Sequence, residues 1–135
     1  MNRLEGKITS VESSGGISLV DLDIKGDAFS ALLIETPQSN PLLREGENIQ
    51  VLFKETEVSI VKMFSGGISC RNRFKAVISA MEFSEILTKL TLDFRDSEIV
   101  SIITTRSAKT LGLAVGDAVE GVVKSNEMML IKGHL

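Results

Sequence analysis

The sequence predicts an all-β protein: two tandem barrels of five short strands, each with a short helical turn between its third and fourth strands. Three observations predict it. The chain repeats itself at an offset of seventy positions: Asn2-Arg3 returns as Asn72-Arg73, Leu22-Asp23 as Leu92-Asp93, and Gly46-Glu47 as Gly116-Asp117. The same ungapped shift pairs Leu43 with Leu113, Lys54 with Lys124 and Glu57 with Glu127, so one register spans a whole module, turns included. Within each module, apolar residues alternate with polar ones at the two-residue period of half-buried strands. Glycine-rich and charged clusters then punctuate these runs every eight to twelve residues or so.

The first module, residues 1–63, starts with a strand over 3–11, where Leu4, Gly6 and Ile8 alternate with charged or polar neighbours. Ser13-Ser14-Gly15-Gly16 is a turn. A second strand covers 17–24, with Val20, Leu22 and Ile24 on one face and Asp21 and Asp23 on the other. Lys25-Gly26-Asp27 turns the chain into a third strand, 28–34. Then Asn40, Pro41 and Gly46 are placed as cap, first helical residue and exit of one helical turn. A fourth strand follows over 47–54, with Ile49, Val51 and Phe53 inward, and a fifth over 58–61.

The second module, 68–135, repeats the plan, with strands at 73–81, 87–94, 99–103, 118–124 and 128–131 and a helical turn over 107–113 capped by Ser107. Three strands, a short helix and two more strands are the order of a small OB-type barrel, whose closure protects strand edges. A module of this size buries a marginal core alone. The join Lys62-Met63-Phe64-Ser65-Gly66-Gly67 is short and partly apolar. The two modules are therefore expected to pack on one another.

Composition removes several classes of function. Net charge is −3 with acids and bases interspersed, which leaves no basic field for nucleic acid and no polybasic patch for a membrane. There is no Trp and no Tyr, so an OB-type nucleic-acid binder would lack stacking platforms, as would a pterin site. Phe83 and Phe94 read as core. The single cysteine allows no internal disulfide or cysteine-rich metal site, and no metal coordinated directly by side chains is expected. No leader-like or bilayer-length apolar run occurs; the expected address is the cytoplasm, with no membrane insertion. P-loop, GxSxG and HExxH patterns are missing. His134 reads as a tail residue and Cys70 as a small hydrophobe with no histidine to activate it. The chain is read as a binder, not an enzyme.

The remaining chemistry is a set of donors at strand ends of the second module. Ser69, Cys70, Arg71 and Asn72 precede its first strand, Thr104 and Ser107 (with Thr105 between) follow its third, and Lys124 and Ser125 end its fourth. Singly, each reads as an ordinary turn or surface residue. Together, hydroxyls, N–H groups and two cations suit a compact dianion, held within a barrel or between neighbouring subunits. A site made only of donors disfavours an oxyanion that keeps a proton. It favours molybdate, tungstate or sulfate over monohydrogen phosphate.

At these residues the chain resembles the molbindins, also called Mop or TOBE modules. Ser69-Cys70-Arg71-Asn72 is similar to their Ser-Ala-Arg-Asn opening, and Ile103-Thr104-Thr105-Arg106-Ser107 to their Ile-Thr-x-Glu-Ser. Leu111-Gly112-Leu113-Ala114-Val115-Gly116-Asp117 resembles Leu-Gly-Leu-x-x-Gly-Asp, and the segment from Val123 to Leu130 an Ile-Lys-Ala-Ser-x-Val-Met-Leu type of ending. The resemblance covers most of the second module. It implies molybdate or tungstate bound at contacts between modules, often across subunits, in a homo-oligomer, trimer before dimer. It further implies Ser69, Arg71, Lys124 and Ser125 as ligands, with Thr104 and Ser107 behind them. Cys70 stands where the family has alanine and Arg106 where it has glutamate.

The first module departs from the pattern. Met1 falls at the position of Arg71 and Glu55 at that of Ser125, so this half has lost its own grip. Lys54 remains as a secondary contributor. The reading that results is a store, buffer or delivery protein for molybdate. A sensor module acting on a transporter or transcription regulator is the alternative, and a cofactor-synthesis partner a further recipient.

Overall fold

The computed structural model describes residues 1–134. The ten strands are β1 (Asn2–Ser14), β2 (Ile17–Ile24), β3 (Asp27–Leu33), β4 (Asn48–Phe53), β5 (Ser59–Val61), β6 (Asn72–Phe83), β7 (Leu87–Phe94), β8 (Ser97–Thr104), β9 (Ala118–Val123) and β10 (Met129–Lys132). Among the described residues one short α-helix, α1 (Thr105–Thr110), follows β8, and 3₁₀ turns at Glu55–Glu57 and Ser125–Glu127 follow β4 and β9. Among the described residues no helix is long and apolar enough to cross a membrane.

The strands form two five-stranded sheets, β10-β4-β1-β2-β3 and β5-β9-β6-β7-β8. Each sheet takes its fifth strand from the other half of the chain. β5 pairs antiparallel with β9, Ser59 opposite Val122, and β10 pairs with β4, Met129 opposite Leu52. The sequence placed strands at both sites but paired each within its own module. Their alternation patterns are equivalent, so nothing local distinguishes the two pairings. The second module as read ends at Leu135, which lies outside the described residues.

The seventy-residue repeat is visible in detail. β1 slips register against β2 between Ile8 and Ser10, and β6 against β7 between Ile78 and Ala80. Beside each bulge the strand turns to a new partner. Gly46 N–H donates to Ile8 C=O at 2.8 Å, and Gly116 N–H to Ile78 C=O at 2.8 Å. Both glycines sit at positive φ, 90° and 94°, where a side chain would strain the backbone. The bulges bend long first strands so that each serves two sheet neighbours.

Side chains alternate as the pattern required. Val20, Leu22 and Ile24 are buried on β2, as are Ile49, Val51 and Phe53 on β4. The two cores are continuous. Phe29 from the first half lies 5.9 Å from Phe74 and 6.1 Å from Phe94, while the latter two rings are 5.4 Å apart. Centroid distances in this range mark favourable ring contacts beyond area burial. The join also docks: Lys62 Nζ donates to Asp117 Oδ2 and to Gly112 C=O, each at 3.0 Å.

Three expectations are corrected. Residues 39–46 form successive turns rather than a helical turn. Asn40 Oδ1 takes the Leu42 N–H at 3.0 Å, and Arg44 Nε donates to Pro41 C=O, so side chains satisfy the backbone outside a helix. In the second half the helix begins earlier than expected, capped by Thr104, whose Oγ1 accepts the Ser107 N–H at 3.1 Å. Phe83 is 53% exposed, because the β6–β7 hairpin end runs past the core.

The two halves fill one core position differently. A Cβ on Gly121 would come 2.2 Å from Phe74 Cζ, whereas the repeat places Val51 and Leu4 at the matching sites. Gly121→Val should therefore cost about 1–3 kcal/mol by overpacking. Adding Phe74→Leu should make the double variant more stable than the sum of the two single losses. Urea denaturation of the three variants measures this, and strict additivity would refute the paired-volume account.

Candidate functional site

Five of the residues in the donor set meet in one pocket. Ser69, Cys70 and Arg71 on the approach to β6, and Lys124 and Ser125 just past β9, line a cavity of about 710 Å³. β6 and β9 are hydrogen-bonded neighbours with Asn72 opposite Val123, which brings the strand start and the strand end side by side. After β9 the chain makes a 3₁₀ turn, Ser125–Glu127, closed by Glu127 N–H to Lys124 C=O at 3.0 Å. Buried Met128 anchors the turn to the core. Ser125 is held from the first half: its Oγ lies 3.0 Å from Oγ of buried Ser30 on β3. The Cys70 thiol donates to Val123 C=O at 3.1 Å and is half-buried.

Asn72 does not belong to this set. It is fully buried. Its Oδ1 accepts the Ser30 N–H at 2.7 Å and its Nδ2 donates to Ser30 C=O at 2.9 Å. Asn2 makes the same pair with Val100, at 2.8 Å in both directions. Ser30 and Val100 are themselves seventy positions apart. Each half thus opens with an asparagine that clips it to the third strand of the other, and neither carboxamide is left to hold an anion.

Thr104 and Ser107 are also elsewhere. Thr104 borders a separate depression of about 330 Å³ with Glu85, Ile86 and Arg106, sharing no residue with the first pocket. The Thr104 hydroxyl donates to Ser107 Oγ at 2.9 Å, which leaves the Ser107 hydroxyl hydrogen free to donate outward. Thr105 is committed to Thr88 and to Ser84 C=O. Lys54 does not line the pocket. In the first half's counterpart, Glu55 pairs with the Met1 ammonium. That hydrogen bond first, and its own backbone N–H second, hold the Glu55 carboxyl below the usual carboxylate range.

Sequence reasoning missed Thr56, Glu57 and Ser59 in the wall of the pocket, together with Asn126 and Glu127. The first three arrive with the exchanged strand β5, so only the true pairing could have revealed them. The pocket is therefore not made of donors alone: two carboxylates share it. Arg71, Lys124, Glu57 and Glu127 have no ion-pair partner among the described residues. No group of three or more His, Cys, Asp or Glu that could hold a metal ion occurs among the described residues.

Residues 68–130 match the TOBE domain family. The chain is 28% identical over 123 residues to the molybdenum import ATP-binding protein ModC of Brucella abortus (strain 2308), an alignment covering 90% of this chain and 32% of that protein. It is 32% identical over 73 residues to the molybdenum transport protein ModE of Herbaspirillum seropedicae, covering 53% of this chain and 27% of that one. The chain thus spans about a third or less of the length of these relatives. Among solved structures it superposes on the cytoplasmic molybdate-binding protein ModG with molybdate bound, with a TM-score of 0.89 at 24% identity, over 96% of this chain and 94% of that one. That likeness establishes the tandem OB-like fold.

Proposed function

We propose that this chain, which belongs to the molbindin or TOBE-type family, binds molybdate or tungstate in the pocket of its second half, for storage, buffering or delivery. The observation that carries the reading is the convergence of Ser69, Arg71, Lys124 and Ser125 on one cavity, with neither cation ion-paired among the described residues. Charge-assisted hydrogen bonds from a guanidinium and an ammonium, backed by hydroxyls, suit a tetrahedral dianion. Thr104 and Ser107 reach such a site from a second copy, which makes the working unit a homo-oligomer, with a trimer favoured. The oxyanion is bound, not transformed, and no catalytic role is assigned to Cys70 or His134.

A second reading, regulation of molybdate import through a partner, draws on the alignment of 90% of the chain within ModC. Both readings need the same anion site, which is therefore tested first.

Native mass spectrometry with molybdate, tungstate, sulfate and phosphate reads subunit number, stoichiometry and selectivity together. The expected result is one occupied equipped site per chain with molybdate or tungstate, and most of that binding kept in Lys54→Ala. A protein that ignores both ions at millimolar excess ends the reading. Abolition by Lys54→Ala with Lys124→Ala unaffected would assign the site to the other half.

A further inference from the structure

One buried hydroxyl of the first half has no part in the seam between the halves. Ser30 lies on β3 and is 1% exposed. The Asn72 clip uses only its backbone, the N–H and the C=O. At the matching place in the other clip the repeat has Val100, held through the same two backbone groups by Asn2. The clip therefore does not require a hydroxyl at position 30. A buried hydroxyl costs stability unless it is hydrogen-bonded. Among the described residues this one bonds a single group, Ser125 Oγ at 3.0 Å.

Ser125 lines the pocket with Arg71 and Lys124. A serine hydroxyl has one hydrogen to give and two lone pairs to receive with. Either serine of the pair can be the donor. A bound oxyanion only accepts, so it takes the Ser125 hydrogen, and the Ser30 hydrogen then goes to Ser125 Oγ. In such a relay every hydrogen points the same way, and each bond polarises and strengthens the next. The chain carries its own comparison. In the repeat Val100 stands for Ser30 and Glu55 for Ser125. The half that keeps the anion residues has both hydroxyls, and the half that has lost them has neither. A hydroxyl serving the fold alone would be wanted in both.

We propose that Ser30 is a positioning residue for the oxyanion: it does not touch the ion, but fixes the Ser125 hydroxyl as a donor toward it. The first half, with no grip of its own, thus supplies part of the second half's site, beside Thr56 and Ser59 in the pocket wall. The inference rests on the function proposed above.

The test is calorimetric titration with molybdate. Ser30→Ala keeps the backbone clip and should weaken binding by about three- to tenfold, the scale of one hydrogen bond's net worth. In a Ser125→Ala background the same change should have no further effect, because Ser30 acts only through Ser125. Ser30→Cys fills the space with a weak donor and should recover at most part of the loss. Urea denaturation of each variant checks the fold. A wild type that ignores molybdate would discard the function and this inference together. With the wild type binding, three results would overturn the inference alone. They are a Ser30→Ala variant with wild-type affinity, an equal loss in the Ser125→Ala background, and full affinity in Ser30→Cys. A Ser30→Ala variant that does not fold would overturn it too, since the hydroxyl would then serve the core.

Discussion

Asn72→Ala is expected to destabilise the protein by about 3–5 kcal/mol, more than any other single substitution at the seam between the halves. The carboxamide is fully buried and satisfies both the N–H and the C=O of Ser30. Alanine would leave both backbone groups without a partner in a site closed to water. Each orphaned group costs about 1–3 kcal/mol, and the lost side-chain volume adds a cavity term. Asn2→Ala should cost less, because the matching bonds to Val100 are only part-buried and water can replace them. Urea denaturation of the two variants gives the comparison. Equal losses, or a larger one at Asn2, would show that the clip is not what makes position 72 sensitive.

The same residue shows where the sequence was readable and where it was not. The offset of seventy positions announced Asn2 and Asn72 as a pair, and the pair has one role in the structure. That role was misread because Asn72 adjoins Arg71, and proximity along the chain suggested a shared ligand. Its side chain instead points to Ser30, forty-two positions away, a contact no local pattern encodes. Strand positions followed from alternation, and β2 and β7 lie where their period put them. Partner choice for β5 and β10 did not follow, since two equivalent edges compete for two equivalent strands. That exchange hid Glu57 from the reading of the site, and with it the mixed charge of the pocket. The turn at 39–46 failed for a different reason. Asn40 and Pro41 are good helix-starting residues, but the Asn40 and Arg44 side chains satisfy the Leu42 N–H and the Pro41 C=O in successive turns instead.

The second large effect is on ligand affinity. Arg71→Ala and Lys124→Ala should each weaken molybdate binding by about 1.5–3 kcal/mol, the usual worth of a hydrogen bond to a charged group. By the tenfold-per-1.4 kcal/mol conversion this is roughly one to two orders of magnitude in Kd each. The two cations line one cavity, so their losses will not add strictly. The double variant should nonetheless bind too weakly to measure at micromolar protein. Arg71→Lys separates charge from geometry: it keeps the positive charge but loses the planar fork, so an intermediate loss means that both matter. Both residues are exposed and have no ion-pair partner among the described residues, which makes folding defects small and lets calorimetry report binding alone. Raising salt should weaken the wild type more than either single variant, because the wild type owes more of its affinity to these charges. Unchanged affinity in both single variants would remove the anion from this pocket, whatever else the protein binds.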